Sequence, residues 1–292
     1  MWPFDEIDRL ERRAELDRPA APARAAVHRL LDDRKPLKDA LHGVWLGHPL
    51  HPVLVQVTLG SLLSASLVDL VGGRRSVSSG LIATGLLLTP PTVAAGAADW
   101  SDSNPDQQRV GVVHAAANGL AVTCYAAALV QRARGRSGRV LSLLGAAIST
   151  VGATLGGHLA YHQSLGPNHT DRVRDHAPQE WRPLGRLADL PDGAPVRRDA
   201  GEVPVFVLRR GTEVTVLANS CPHLSAPLSD GEVTGSDGDA RIVCPWHGSE
   251  FSLTDGCVVH GPATAAVPVF AARVVDGGVQ ARIVESAGAP TL

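Results

Sequence analysis

The chain is short of cysteine and of net charge. Its four cysteines, Cys124, Cys221, Cys244 and Cys257, are too few and too scattered to staple 292 residues, which argues against a disulfide framework and leaves metal binding as the better use for some of them. A net charge of -2 gives no electrostatic case for nucleic acid or for an anionic membrane surface. The opening stretch MWPFDEIDRLERRAELDRPA begins with acids and lacks the basic-then-apolar order of a cleavable secretory signal. Between about residues 52 and 160 charge itself becomes scarce, and Leu, Ala, Val and Gly take over.

Within that region four apolar runs, at about 52–71, 79–98, 112–131 and 140–160, have the length to cross a membrane. A hydrocarbon core of about 30 Å takes about 20 helical residues. Pro90 and Pro91 fall in the second run and are tolerated where neighbouring helices re-satisfy freed carbonyls. Small residues, as in GAAISTVGATLGG, let helices approach closely in lipid. A four-helix transmembrane bundle is therefore expected, rather than a soluble domain of unusually apolar helices.

Helices joined by short loops run antiparallel, so the start of the first, the end of the second, the start of the third and the end of the fourth share one membrane face. On that face fall His48 and His51 in GHPLHP, Asp99 in GAADWSD, His114 with Asn118 in VVHAAANGL, and His158 and His162 in GGHLAYH. The opposite loops, GGRRSV and QRARGRSGRV, contain no histidine. Ionisable groups at membrane depth are costly and mark function by default. Any one of these histidines alone reads as a snorkelling or capping side chain; together His48, His51, Asp99, His114, His158 and His162 are expected to hold a haem, a metal or another ligand. The charged segment DEIDRLERRAELDR reads as an amphipathic surface helix with intrahelical ion pairs, and His42, His169, His176 and His260 as solvated structural residues.

After the polar stretch SLGPNHTDRVRDHAPQEW the composition turns to Val-rich segments such as VPVFVLRR, TEVTVLAN and VPVFAARVV, separated by Gly, Asp and Pro. These predict a small, mostly antiparallel β domain. Inside it lies CPHLSAPLSDGEVTGSDGDARIVCPWHGSEF, a C-x-H followed after 20 residues by C-x-x-H. Two thiolates and two imidazoles from two loops could hold zinc. The spacing, with Pro after each cysteine and Gly after the second histidine, resembles the Rieske family, as does Gly261-Pro262 in the following LTDGCVVHGPA. That resemblance implies a [2Fe–2S] cluster with one iron on Cys221 and Cys244 and the other on His223 and His247. Neutral imidazoles in place of two thiolates raise the potential of such a centre. Family members of high potential have a second cysteine in each ligand loop, forming a disulfide, and a serine and a tyrosine hydroxyl near the cluster sulfurs. Here Ala226 and Trp246 occupy the cysteine places, Ser249 is kept as the sulfur hydrogen-bond donor, and Phe251 stands where the tyrosine falls. The resemblance therefore implies a ferredoxin-like member of lower potential. Cys124 and Cys257 read as buried spectators.

Residues 41–165 are similar to an uncharacterised family of four-helix bacterial membrane proteins that share GHPLHP, an H-x-x-x-N in the third helix and GGHL near the end of the fourth. The whole chain is thus expected as a polar helical segment (1–47), a transmembrane domain (48–165), a linker (166–180) and a Rieske domain (181–286). It would sit as a multi-pass protein in a bacterial cell membrane. Three readings of the bundle follow. The first has it ligate a b-type haem or meet quinone, so that the protein passes single electrons; the second has it hold a non-haem metal ion for a Rieske-fed oxygenase or desaturase; the third makes it a passive anchor or sensor. A redox protein or quinone is the expected partner, with a homo-oligomer or a respiratory-type complex both compatible. The positive-inside rule puts the arginine-bearing loops in the cytosol and the Rieske domain outside. The nine basic residues of segment 1–47 pull the other way.

Overall fold

The computed structural model describes residues 3–284. It divides into two compact units: one is the chain up to Gly43 with Pro49–Gly166, the other Val44–His48 with the chain from Pro167 onward. The expected end of the β domain at residue 286 lies outside the described residues.

The second unit is built on two antiparallel sheets. The larger has the order β1 (Arg182–Arg186), β10 (Gly278–Ile283), β9 (Val269–Val275), β4 (Glu213–Ala218), β3 (Val203–Arg210), β2 (Pro195–Ala200). The smaller is a meander of three-residue strands, β5 (Glu232–Thr234), β6 (Arg241–Val243), β7 (Glu250–Ser252) and β8 (Val258–His260). β3 is buried almost throughout, with Val205, Phe206, Val207 and Leu208 in the core beside Leu217 and Phe270. Fully buried β-branched and aromatic side chains suit a central strand. The segment expected as a linker is ordered here: Val173 and Ala177 pack on the β core, and the Ile283 N–H donates to the Pro178 carbonyl at 2.9 Å.

In the first unit four long helices, α4 (Leu50–Leu70), α5 (Arg75–Ser101), α6 (Pro105–Ala133) and α7 (Arg139–Gly157), form a closed ring in which α4 touches α5 and α7, and α6 touches α5 and α7. All four are long and apolar enough to cross a membrane, the last continuing to His162. Their burial is inverted relative to a water-soluble bundle. Ala65, Ala95, Ala98, Ala121, Ala128, Gly85 and Gly145 face inward, whereas Leu67, Leu87, Val93, Leu120, Val140 and Val151 face out. Lipid supplies no hydrophobic drive between helices, so small residues and polar contacts make the interface. The Thr58 and Thr92 hydroxyls meet at 2.8 Å, and the Ser66 hydroxyl lies 2.9 Å from that of Tyr125. α5 runs unbroken through Pro90 and Pro91, with the Thr89 and Thr92 hydroxyls bonded back to the carbonyls of Gly85 and Leu88. At one end Arg132 pairs with Asp69 and donates to Ser78 Oγ at 2.7 Å, all three buried. Removing one partner of a buried pair costs about 3–5 kcal/mol, so this contact fastens α4, α5 and α6 together.

The N-terminal residues form three helices, α1 (Pro3–Glu11), α2 (Asp17–Leu31) and α3 (Lys35–His42), packed against the opposite end of the ring. Only residues 102–104 separate α5 from α6. One expectation is corrected here. His42 is no solvated residue: it is 1 % exposed, with Nδ1 donating to Asp99 Oδ1 at 2.8 Å and Nε2 facing Asp102 Oδ2 at 3.3 Å in an ion-pair contact. Lys38 Nζ reaches the same Asp102 oxygen at 3.0 Å and Asp32 at 3.0 Å, and His28 Nδ1 lies 3.1 Å from Asp32. Burial disfavours the His42 charge, but the Asp102 and Asp99 carboxylates beside the ring outweigh burial and hold the imidazole at about 9. Burial likewise opposes the Asp102 carboxylate, which His42 and Lys38 nevertheless bring down to about 2.

A raised histidine pKa contributes stability that is complete below its ordinary 6.5 and lost as pH rises through about 9. A depressed carboxyl contributes above its ordinary 3.8 and is lost as pH falls through about 2. The docking of α3 is therefore firmest between 3.8 and 6.5. Hydrogen exchange of α3, corrected for intrinsic rate, is expected to show protection declining as pH passes about 9. Unchanged protection across that range would contradict a charged His42.

Candidate redox centre and histidine cluster

The β4–β5 and β6–β7 connections carry the two expected ligand pairs, Cys221 with His223 and Cys244 with His247. Because β5 pairs antiparallel with β6 and β6 with β7, both loops emerge at the same end of the small sheet. They close by the same turn. The Cys221 N–H donates to the Ala226 carbonyl at 2.9 Å and the Cys244 N–H to the Ser249 carbonyl at 2.8 Å, in each case five residues on. In return the Ser225 N–H donates to Cys221 O and the Gly248 N–H to Cys244 O. Both return donors have positive φ, 64° for Ser225 and 73° for Gly248. That conformation suits glycine at 248 and is strained for serine at 225. The loops differ in where the imidazole is placed, two residues after the first cysteine and three after the second.

Within this frame the thiols are buried and the imidazoles are half-buried. Cys221 is 1 % and Cys244 4 % exposed, and the two sulfurs hydrogen-bond to each other. Backbone N–H groups of His223 and Leu224 point at Cys221 Sγ, and those of Trp246 and His247 at Cys244 Sγ. Such donors stabilise sulfur anions. The hydrogen bond to Cys244 and burial push Cys221 strongly up, while the hydrogen bond from Cys221 leaves Cys244 lowered to about 7. The His223 and His247 rings meet edge to face, with centroids 5.0 Å apart. The donors thus come as a sulfur pair and an imidazole pair. A two-iron unit with Cys₂ on one iron and His₂ on the other fits this donor set.

Around the pairs, Ser249 is fully buried and its Oγ accepts the Ala263 N–H at 3.0 Å; Ala263 follows the cis Gly261-Pro262 bond. Phe251 is fully buried, Ala226 is buried and Trp246 is exposed, and all four cysteines are free thiols. Cys124 is buried as expected, but Cys257 is exposed, a correction that follows from its place in the turn entering β8. The His169 N–H donates to the Pro222 carbonyl at 3.0 Å, so a residue read as solvated braces the first ligand loop.

The bundle distributes its expected site residues unevenly. His51 Nδ1 lies 2.9 Å from the Thr92 carbonyl and His114 Nδ1 2.9 Å from the Gly152 carbonyl. Asn118 sits against the His114 ring at 3.3 Å. Gly96 and Gly156 make room for the two rings: a Cβ at Gly96 would lie 2.7 Å from His51, and one at Gly156 3.0 Å from His114. His51 is within electrostatic reach of Asp99 and of His114. Asp99 itself is engaged by His42, and His158 by Glu11 at 2.7 Å. His162 stacks on His158, and exposed His48 lies in the segment grouped with the second unit. Asp8, Glu11 and His42 are the residues that sequence reasoning missed. The one signal for Asp8 and Glu11 was the Ile7 and Leu10 stripe on α1, which marks a docking face rather than a free surface helix.

A buried sulfur pair and a half-buried imidazole pair, held by twin loops at one end of a small β meander, suit a mixed-ligand iron–sulfur domain. The family model for the Rieske [2Fe-2S] domain matches residues 180–271, and that for a predicted membrane protein, DUF2231, matches residues 47–169. The anthranilate 1,2-dioxygenase ferredoxin subunit of Burkholderia cepacia is 34% identical over 104 residues, 36% of this chain and 93% of that one. Ferredoxin CarAc of Metapseudomonas resinovorans is 33% identical over 103 residues, 35% of this chain and 92% of that one. The cytochrome b6-f complex iron-sulfur subunit of Chlorobaculum thiosulfatiphilum is 29% identical over 91 residues, but these are 31% of this chain and 47% of that subunit. The chain belongs to the Rieske [2Fe–2S] family, with its Rieske domain fused to a DUF2231 membrane domain.

Replacing Cys244 by Ser is expected to abolish the Rieske EPR signal and the two cluster irons per chain, while Cys257→Ser leaves both intact. Iron analysis with EPR on the two variants checks this, and cluster retention in Cys244→Ser would remove that thiol from the ligand set.

Proposed function

We propose that this protein is a membrane-bound electron carrier that passes single electrons between its Rieske cluster and a b-type haem or quinone at the histidine-bearing end of the bundle. The observation that carries the reading is the shared state of His51 and His114. A ring nitrogen facing a carbonyl must donate, so each imidazole is fixed as the Nδ1–H tautomer by a helix carbonyl. Each is thereby left with a lone pair on Nε2, as in histidines that ligate metals. They come from different helices, α4 and α6; Gly96 and Gly156 leave room for the rings, and Asn118 is the side chain that a ligand at His114 Nε2 would displace. A haem iron or a quinone hydroxyl would meet those nitrogens, and such a group exchanges one electron at a time.

In the Rieske domain the chain's own residues favour a potential low in the roughly −150 to +300 mV range of such centres. Phe251 brings no hydroxyl, and no loop disulfide braces the site. Ser249 accepts from Ala263 with its oxygen, which leaves its proton to donate to a sulfur. Two relatives are ferredoxins by name, matched over nearly their full length, which supports delivery of electrons to another protein. Homo-oligomers and respiratory-type complexes both accommodate this role. The short connection from His162 to Arg182 supports a Rieske domain on the histidine-bearing face. The positive-inside rule, applied to the loops with Arg74, Arg134 and Arg136, favours an extracytoplasmic face, against the pull of the basic residues in segment 1–47.

Detergent-purified protein is expected to contain a haem, seen in its oxidised and reduced absorption spectra, or a stoichiometric extractable quinone. His51→Ala and His114→Ala should each lose it while keeping the Rieske EPR signal. Cluster iron alone, with neither haem nor quinone, would overturn this reading.

A further inference from the structure

The N-terminal sequence PFDEIDRLE sets Asp8 and Glu11 three residues apart, on one helical face. The neighbouring stripe docks α1: Ile7 is buried with Val110, Leu155 and Leu159, and Leu10 packs beside them. Arg109 fastens the end of this helix, donating to the Glu11 carbonyl at 2.8 Å and gripping the Asp17 carboxylate at 2.7 and 3.0 Å. The two acids are thus held against the end of α7 by contacts in which their carboxylates take no part.

Facing them, the helix changes its winding. His158–His162 is a π turn, with the Gln163 N–H donating to the His158 carbonyl at 3.0 Å. Such turns are rare and gather at functional sites. This one stacks the two imidazoles, centroids 4.5 Å apart and planes 25° off parallel. His158 Nε2 lies 2.7 Å from Glu11 Oε1, and His162 Nε2 4.0 Å from Asp8 Oδ1. One donor atom from each of the four residues falls within 4.8 Å of the other three. Asp8 Oδ1 is shut off from solvent with no hydrogen-bond partner, which is costly for a carboxylate oxygen and calls for a cation.

We infer that Asp8, Glu11, His158 and His162 bind one divalent first-row transition ion, which clamps the N-terminal helix to the end of the fourth span. Two imidazoles and two carboxylates suit zinc, iron(II) or manganese(II), and the paired carboxylates balance the ion's charge. Calcium and magnesium prefer shells made of oxygen. Metal–ligand bonds of about 2.0–2.2 Å require the wider gaps to shrink. Asp8 and His162 have room to move, with side chains 40% and 62% exposed. Binding through His158 Nε2 requires the tautomer with its proton on Nδ1, so the ring stays a neutral ligand. Four protein ligands close the shell, which makes the site structural. The site is independent of the electron-transfer reading above.

The test uses the full chain in detergent with the Rieske EPR signal as its control for folding. After stripping adventitious metal with a mild chelator, zinc is titrated in competition with a chromophoric chelator, and exchange of α1 amides is followed. Wild type is expected to take one zinc per chain and to protect α1 when it does. Asp8→Asn and His162→Ala each remove a partly exposed ligand and should weaken zinc by more than the roughly 10–100-fold that loss of an outer-shell contact costs. A wild type that takes no zinc, or variants that bind it as tightly as wild type, overturns the site.

Discussion

A lipid core offers no hydrogen-bond partner, and the helical half of this chain is organised around that constraint. Its inward faces are alanine, glycine, serine and threonine, and its large apolar side chains point outward. Within the spans the polar atoms are satisfied by neighbouring helices, as where Ser66 meets Tyr125 or Thr58 meets Thr92. Charged groups are confined to the two ends: Asp69 with Arg132 at one, and the His42, Asp99 and Asp102 network with the His158 and Glu11 contact at the other. Gly85 and Gly145 allow Leu62 and Tyr125 to approach closely, and Gly96 and Gly156 do the same for the His51 and His114 rings.

The β half solves a different problem, the holding of two unlike ligand pairs. Twin turns with matching hydrogen bonds present each cysteine to a pair of N–H groups, which keeps the sulfurs buried and anion-ready. The one-residue difference in histidine spacing then brings both imidazoles to the same side, edge to face. A charge-rich ligand set is thus assembled from short loops on three-residue strands, with the larger sheet supplying the core.

What could be read from the amino-acid sequence alone was whatever depends on local pattern. The four spans are long apolar runs, the ligand loops are short motifs, and strand antiparallelism follows from turn residues between Val-rich segments. The features missed depend on tertiary docking. Nothing near His42 in sequence announces that Asp99 and Asp102 will enclose it, since the pairing requires α3 to lie on the end of α5. Asn104 and Gln107 form a capping box that starts α6 with only residues 102–104 after α5. Asp8 and Glu11 look like ordinary surface acids until Ile7 docks. Cys257 reads as a buried thiol because cysteine usually is one, whereas its turn leaves it exposed.

The central claim is that electrons pass between the Rieske cluster and a group at the histidine-bearing end of the bundle. Adding a quinol to membranes containing the protein and following the reduced Rieske EPR signal tests it most directly. The account predicts that the cluster becomes reduced in wild type and far more slowly in the His51→Ala/His114→Ala double variant, although dithionite reduces both. Equal reduction of the two by quinol, or none in wild type, would contradict it.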